Sequence, residues 1–260
     1  MARHAPAATH ARPTVAREQT RACGMKPLMA DSQSAYDAVA DAYRRILDPE
    51  GRGLSDPVLT DLLGDLGDQV VLSLACGQGQ DARLLASLGA KVTGIDVSTE
   101  MLRYATEHEA INRRGITYIQ GDAQDLEQFV DASFDGVLCH MALMDIPDLP
   151  STIQAVARVL RDGGWFVFSI VHPAYYLHVQ IISDYLLDHR YPKQRPVDWL
   201  PAHAYHRPIA LYVNELAGAG LRIERLVETH QAGERDPVGD RAERDAGKVP
   251  GLLYARAAKR

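Results

Sequence analysis

Two rhythms of apolar positions alternate along this chain. Tyr36, Val39, Ala40, Tyr43, Ile46 and Leu47 recur at i, i+3, i+4 and i+7, which predicts a helix over 34–47. Asp48-Pro49-Glu50-Gly51 ends it, and a second short helix is expected over 56–64, closing near Gly64. Val70, Val71, Leu72 and Leu74 then form a short apolar run, suited to a strand buried on both faces. Gly77 and Gly79 break that run, and Ala82, Leu84, Leu85 and Leu88 resume helical spacing up to a C-cap at Gly89. The pattern repeats. Lys91 to Val97 reads as a strand, and Ser98 caps a helix that carries Met101, Leu102, Ala105 and Ile111. Ile116 to Gln120 is a third strand and Phe134 to Cys139 a fourth, with His140 and Met141 at its end. Ser151 is expected to cap a helix with Ile153, Val156, Ala157 and Leu160 on one face. Asp162-Gly163-Gly164 then turns the chain into a fifth strand, Trp165 to Val171. Strands alternating with helices of this length predict βαβ units and a parallel sheet, an α/β fold.

After the fifth strand the rhythm fails. Residues 172–206 hold Tyr175, Tyr176, Tyr185, Tyr191, Trp199 and Tyr205 among several prolines, an aromatic-rich insertion. Pro208 suits N1 of a further helix and Gly220 its C′ position. Leu221 to Glu228 and Leu252 to Ala258 read as strands joined by a charged loop over 231–248, with no helix between them. That makes a hairpin, so the sheet should end antiparallel.

Composition narrows the class. The chain has 260 residues, 46% hydrophobic and 24% charged, as in ordinary globular proteins. A formal net charge of −6 argues against a broad nucleic-acid-binding surface. No apolar run approaches the length that spans a bilayer. The three cysteines, Cys23, Cys76 and Cys139, are widely spaced, with no disulfide or metal-ligand pattern; this fits a reducing cytoplasm. The histidines form no paired ligand spacing, and no metal is expected. Residues 1–30 are rich in Ala, Arg, Thr and Pro and carry almost no large apolar side chains. They read as a disordered tail, with Met25 or Met29 as an alternative start. A monomer or homodimer is expected.

The candidate chemistry lies at the carboxyl ends of the strands, where open parallel sheets bind ligands. There the chain places the glycine turn, Asp96, Asp122, His140 and His172. A glycine turn between strand and helix exposes backbone N–H groups and lets a ligand approach closely. A carboxylate after the second strand can accept hydrogen bonds from both hydroxyls of a ribose. Asp122 could accept from an adenine amino group, or simply cap a turn. Core packing alone would account for Tyr36 and Tyr43; a helix lying over a ligand pocket is the functional alternative.

Residues 70–170 resemble a class I S-adenosylmethionine-dependent methyltransferase of the small-molecule branch. The resemblance is carried by Leu74-Ala75-Cys76-Gly77-Gln78-Gly79, Gly94-Ile95-Asp96-Val97-Ser98, Gly121-Asp122-Ala123, Phe134-Asp135-Gly136-Val137 and Arg158-Val159-Leu160-Arg161-Asp162-Gly163-Gly164. Tyr36-Asp37-x-x-Ala40-x-x-Tyr43 also resembles the helix that closes over the cofactor in many members. The resemblance implies a Rossmann-like seven-stranded sheet of order 3-2-1-4-5-7-6, last strand antiparallel, with helices on both faces. It implies one methyltransferase domain over 31–260, with N-terminal lid helices and a substrate-lid insertion at 172–206. S-adenosyl-L-methionine would be the cofactor, bound by the 75–79 turn (Ala75, Gly77, Gly79), Asp96 and Val97, Asp122 and Ala123, with Tyr36, Met101 and His140 around it. A small-molecule acceptor would lie among Tyr43, Met141, Tyr175 and Tyr176. His172 and Asp145 are the candidate general bases, for acceptors whose proton must leave.

The sequence departs from the family at two positions. Ser73 stands where an acid that helps to orient the cofactor's amino-acid portion is usual. Ala75 stands where the first glycine is usual, a mild change if its φ is negative. Two other readings compete. Gly77-x-Gly79-x-x-Ala82 followed by Asp96 satisfies the relaxed dinucleotide fingerprint of a nicotinamide-dependent oxidoreductase, but a dinucleotide fold continues parallel. A non-methylating descendant of the methyltransferase fold has Ser73 as its support.

Overall fold

The computed structural model describes residues 25–47, 56–176, 193–197, 200–229 and 250–260. Residues 1–24, the end of the first helix at 48–51, the loop at 231–248, and Tyr185, Tyr191 and Trp199 lie outside the described residues.

The first helix, α1 (Met25–Leu47), begins earlier than its apolar spacing predicts, so residues 25–30, assigned to the tail, are helical. α2 (Pro57–Leu63) is capped by Asp56, whose side chain accepts from the Leu59 N–H, and stops at Gly64. The strand-and-helix series then runs β1 (Val70–Leu74), α3 (Gln80–Ser87), β2 (Lys91–Asp96), α4 (Thr99–Ile111), β3 (Thr117–Gln120), β4 (Phe134–His140), α5 (Leu149–Val159) and β5 (Leu160–Val171). Ser98 caps α4 as expected, accepting from the Met101 N–H. The cap of α5 is Asp148, not Ser151: its carboxylate accepts from the Ser151 N–H, and the helix takes Leu149 and Pro150 into its first turn. A proline there loses no helical hydrogen bond. β5 also starts earlier than predicted, at Leu160, with a register shift where the glycine turn interrupts its pairing to β4.

Within the insertion, α6 (Pro173–Tyr176) is a single turn, and β6 (Lys193–Val197) and β7 (Leu200–His206) pair as a separate antiparallel hairpin. α7 (Ile209–Gly218) follows, with Pro208 at its N-cap rather than at N1. Gly220 takes the positive φ of 79° that a C′ position requires. β8 (Leu221–Thr229) and β9 (Leu252–Lys259) complete the main sheet.

That sheet has seven strands in the order β3-β2-β1-β4-β5-β9-β8. Counting only its own members, this is the order the resemblance implies. β1 to β5 pair in parallel, and β9 is antiparallel to both β5 and β8. The antiparallel end departs from a dinucleotide-binding fold. β1 is apolar because both of its faces are covered. Leu72 and Leu74 join the core formed with α5 and α7, while Val71 joins the core formed with α2 and α3. The strand order reverses between β1 and β4, so the carboxyl ends of β1, β2, β4 and β5 surround the switch point where α/β sheets bind ligands.

Candidate active site

The glycine turn leaves β1 under tension. Ala75 has φ +51°, in the left-handed region, so the condition under which alanine would be a mild change is not met. An L-residue there costs about 1–2 kcal/mol, while glycine would add about 0.4–1 kcal/mol of unfolded-chain entropy. Ala75→Gly is therefore expected to raise the melting temperature by about 1–3 °C, as followed by calorimetry. Gly77 also has φ +51°, and nothing lies within 4 Å of where a Cβ would stand. That open backbone is the approach a ligand needs. At Gly79 a Cβ would instead run into the Tyr118 ring, whose Cζ is 2.8 Å away. Glycine is required there by packing as well as by φ.

Asp96, at the end of β2, is 8% exposed. One carboxylate oxygen accepts from the Gly77 N–H (2.8 Å) and the other from the Ser98 N–H (2.9 Å). Burial raises its pKa, and those N–H groups oppose the rise. Each oxygen retains a lone pair, so the carboxylate both ties the glycine turn to β2 and can accept from ribose hydroxyls. Val97 follows it, half-buried, and Met101 is buried against α1 with Ala40 and Tyr104. Asp122 caps its own turn: Oδ1 accepts from the Gln124 backbone and side chain, and Oδ2 from the side chain alone. Ala123 beside it is buried. The open turn at Gly77 and the two-oxygen acceptor at Asp96 together fit an adenosine-bearing cofactor.

α1 lies across this edge and is bolted at four places. The Tyr36 hydroxyl donates to Asp145 Oδ2 (2.8 Å) after β4. The Asp37 carboxylate accepts from the Ser98 hydroxyl (2.6 Å), the Thr99 hydroxyl and the Glu100 N–H (3.1 Å), all at the N-terminus of α4. Tyr104 donates to Asp41, and the buried Gln78 side chain donates to the Ala40 carbonyl (3.3 Å). Tyr36 and Tyr43 pack against one another with ring centroids 6.2 Å apart. Burial pushes the Tyr43 hydroxyl up to about 12 and Tyr36 well above its ordinary value.

Asp145, after β4, is a further perturbed acid of the edge. Burial pushes its pKa up to about 7, against the opposing effects of the Tyr36 hydroxyl and the Arg207 guanidinium. Arg207, 2% exposed, donates to the carbonyls of Leu143, Ile146 and Pro147 and stacks on the Tyr205 ring at 4.6 Å. It thus pins the loop that carries Asp145 to the end of the insertion.

His140 and Met141 stand beside it. The Met141 N–H donates to both the carbonyl (3.0 Å) and the hydroxyl (3.1 Å) of Ser169, holding Met141 at φ +53°. The same hydroxyl lies 2.6 Å from His140 Nδ1, and the His140 ring stacks on Tyr254.

His172 is brought to the same edge but faces elsewhere. Its Nδ1 accepts from the Ala174 N–H (3.0 Å), so Nε2 carries the proton and donates to Glu228 (2.9 Å). Both ring nitrogens are committed to holding the β5–α6 junction against β8, and neither is offered as a base. Tyr175 is half-buried in the same turn, its N–H bonded to the His172 carbonyl (2.9 Å); the Tyr176 side chain lies outside the described residues. Asp37, Gln78 and Arg207 are contributors that the sequence reading left without a role. Asp37 stood inside the quoted Tyr36-Asp37 motif, but its partner on α4 is remote in sequence. Among the described residues no group of His, Cys, Asp or Glu is arranged to hold a metal ion, and no helix is long and apolar enough to cross a membrane.

Residues 72–168 match the family model described as a methyltransferase domain. The chain is 32% identical over 131 residues to the ubiquinone biosynthesis O-methyltransferase of Nitrosomonas europaea, covering 50% of this chain and 56% of that protein. It is 33% identical over 160 residues to the enzyme of the same name from Pseudoalteromonas translucida, covering 58% and 67%. The chain thus spans about half to two thirds of the length of the curated relatives it matches. An S-adenosylmethionine-dependent methyltransferase from Mesorhizobium loti superposes with a TM-score of 0.64 at 28% identity, over 78% of this chain and 96% of that one. With the sheet order, the open glycine turn and an acid at the end of β2 in place, the chain belongs to the class I S-adenosylmethionine-dependent methyltransferases.

Proposed function

We propose that this protein transfers the methyl group of S-adenosylmethionine to an oxygen atom of a small-molecule acceptor, with Asp145 as the general base. The observation that carries the reading is the Asp145 carboxyl, half-buried at the end of β4, bonded to the lid helix through Tyr36, and pushed up to about 7. The O-methyltransferase names of the relatives support oxygen as the attacked atom. The cofactor supplies a methyl group on a positively charged sulfur, already electrophilic, so the protein's work is positioning and exclusion of water. Gly77 to Gly79, Asp96 and Val97 would hold it on the β1–β2 side; Asp122, Ala123, Met101, Tyr36 and His140 would close around it. An acceptor between α1 and the start of the insertion would meet Tyr43, Met141 and Tyr175. Its hydroxyl proton passes to Asp145 Oδ1, while Tyr36 holds Oδ2. α1, lying across this edge, acts as a lid that keeps water out.

The reading is tested by incubating the protein with methyl-labelled S-adenosylmethionine and a panel of phenols, amines and activated carbon acids. Label in an acid-stable methyl ether of a phenol is the expected result. Transfer confined to nitrogen or carbon acceptors would overturn the assignment to oxygen.

A further inference from the structure

Most carboxylates around the switch point are already engaged. Asp96 accepts from Gly77 and Ser98, Asp122 from Gln124, Asp145 from Tyr36, and Asp37 from the start of α4. Asp81 differs. It stands in the first turn of α3, directly after the glycine turn, and among the described residues its carboxylate has no hydrogen-bond or ion-pair partner. The charges of His140 at the end of β4 and Arg83 on its own helix favour the ionised form, and that of Asp56 at the cap of α2 opposes it. Its charge also helps to raise the pKa of the thiols of Cys76, in the turn after β1, and Cys139, on β4.

Ser73 supplies an independent observation. It is 1% exposed on β1, and its hydroxyl oxygen has no partner. Alternation along β1 sets it on the same face as Val71, the face covered by α2 and α3. β1 therefore presents no anion to the edge, and the neutral hydroxyl that replaces it is an orphan. The amino-acid end of S-adenosylmethionine is a zwitterion. Its carboxylate suits the N–H groups of the turn and the α3 start, but its ammonium needs an anion.

We propose that Asp81 binds the ammonium group of the cofactor's amino-acid portion, taking the part that Ser73 on β1 cannot play. The inference rests on the cofactor assignment above. Burial raises the pKa of Asp81, and a cation brought against the carboxylate offsets that cost. Asp81→Asn keeps the shape and removes the charge.

The test is calorimetric binding of two probes, S-adenosylhomocysteine and 5′-methylthioadenosine, which lacks the amino-acid portion. Wild type should bind both, with S-adenosylhomocysteine the tighter; failure to bind either would sink the cofactor assignment itself. In Asp81→Asn the affinity for S-adenosylhomocysteine should fall about tenfold to a hundredfold, as expected for a lost charge-assisted bond, while that for 5′-methylthioadenosine stays unchanged. Equal weakening of both probes would show a structural role and overturn the proposal. Asp81→Glu, which keeps the charge, should retain most of the S-adenosylhomocysteine affinity; a loss as large as that of Asp81→Asn would also overturn it.

Discussion

Asp145→Asn is expected to lower the transfer rate by about 10²–10⁴-fold, the contribution of a positioned general base, while leaving S-adenosylhomocysteine affinity near wild type. The pH profile gives the sharper check. With its pKa raised to about 7, Asp145 is a working base only when ionised, so kcat/KM should rise with pH through about 7 and level off above it. Asparagine does not titrate, and that limb should vanish from the residual rate. Tyr36→Phe removes a donor to the ionised carboxylate (2.8 Å), which raises the pKa further and moves the limb to higher pH. Stability runs the opposite way. The folded state holds the proton more tightly than the unfolded chain, so it binds more protons between about pH 4 and 7. Stability from this group is therefore largest below pH 4 and falls as pH rises to about 7. A wild-type rate in a folded Asp145→Asn protein would refute the assignment. His172 is no substitute, since its Nδ1 and Nε2 are held by Ala174 and Glu228.

Asp96→Ala should weaken S-adenosylhomocysteine binding about tenfold to a hundredfold or more. Two ribose hydrogen bonds to a charged acceptor are lost, at about 1.5–3 kcal/mol for bonds of this type. The substitution also strands the N–H groups of Gly77 and Ser98, which now donate to the carboxylate at 2.8 and 2.9 Å. The glycine turn should loosen with it, and a fall in melting temperature is expected alongside the loss of affinity. Unchanged affinity by calorimetry in the folded variant would mean that the ribose is held elsewhere. Unlike Asp81→Asn, this change should weaken 5′-methylthioadenosine as strongly as S-adenosylhomocysteine, because both carry the ribose. The two variants thereby separate the two ends of the cofactor.

What the sequence determined by itself was local or periodic. The apolar run at β1 is legible because two covered faces leave no polar position between Val70 and Leu74 other than Ser73. The glycine turn and Asp96 are legible because a strand end, a tight turn and the next strand end lie close along the chain. The antiparallel finish is legible because no helix separates β8 from β9. Tertiary structure alone decided the rest. The φ of Ala75 depends on how β1 meets α3, not on its neighbours' identities. Asp145 pairs with Tyr36 across 109 residues, and Asp37 with Ser98 across 61, and no periodicity encodes such a meeting. His172 is indistinguishable in sequence from a free base at a strand end. Only the fold, by bringing Glu228 from β8 beside it, commits its second nitrogen. Burial acts in the same way: it raises the pKa of Asp145 and of Asp81, and burial is a property of what packs around a residue.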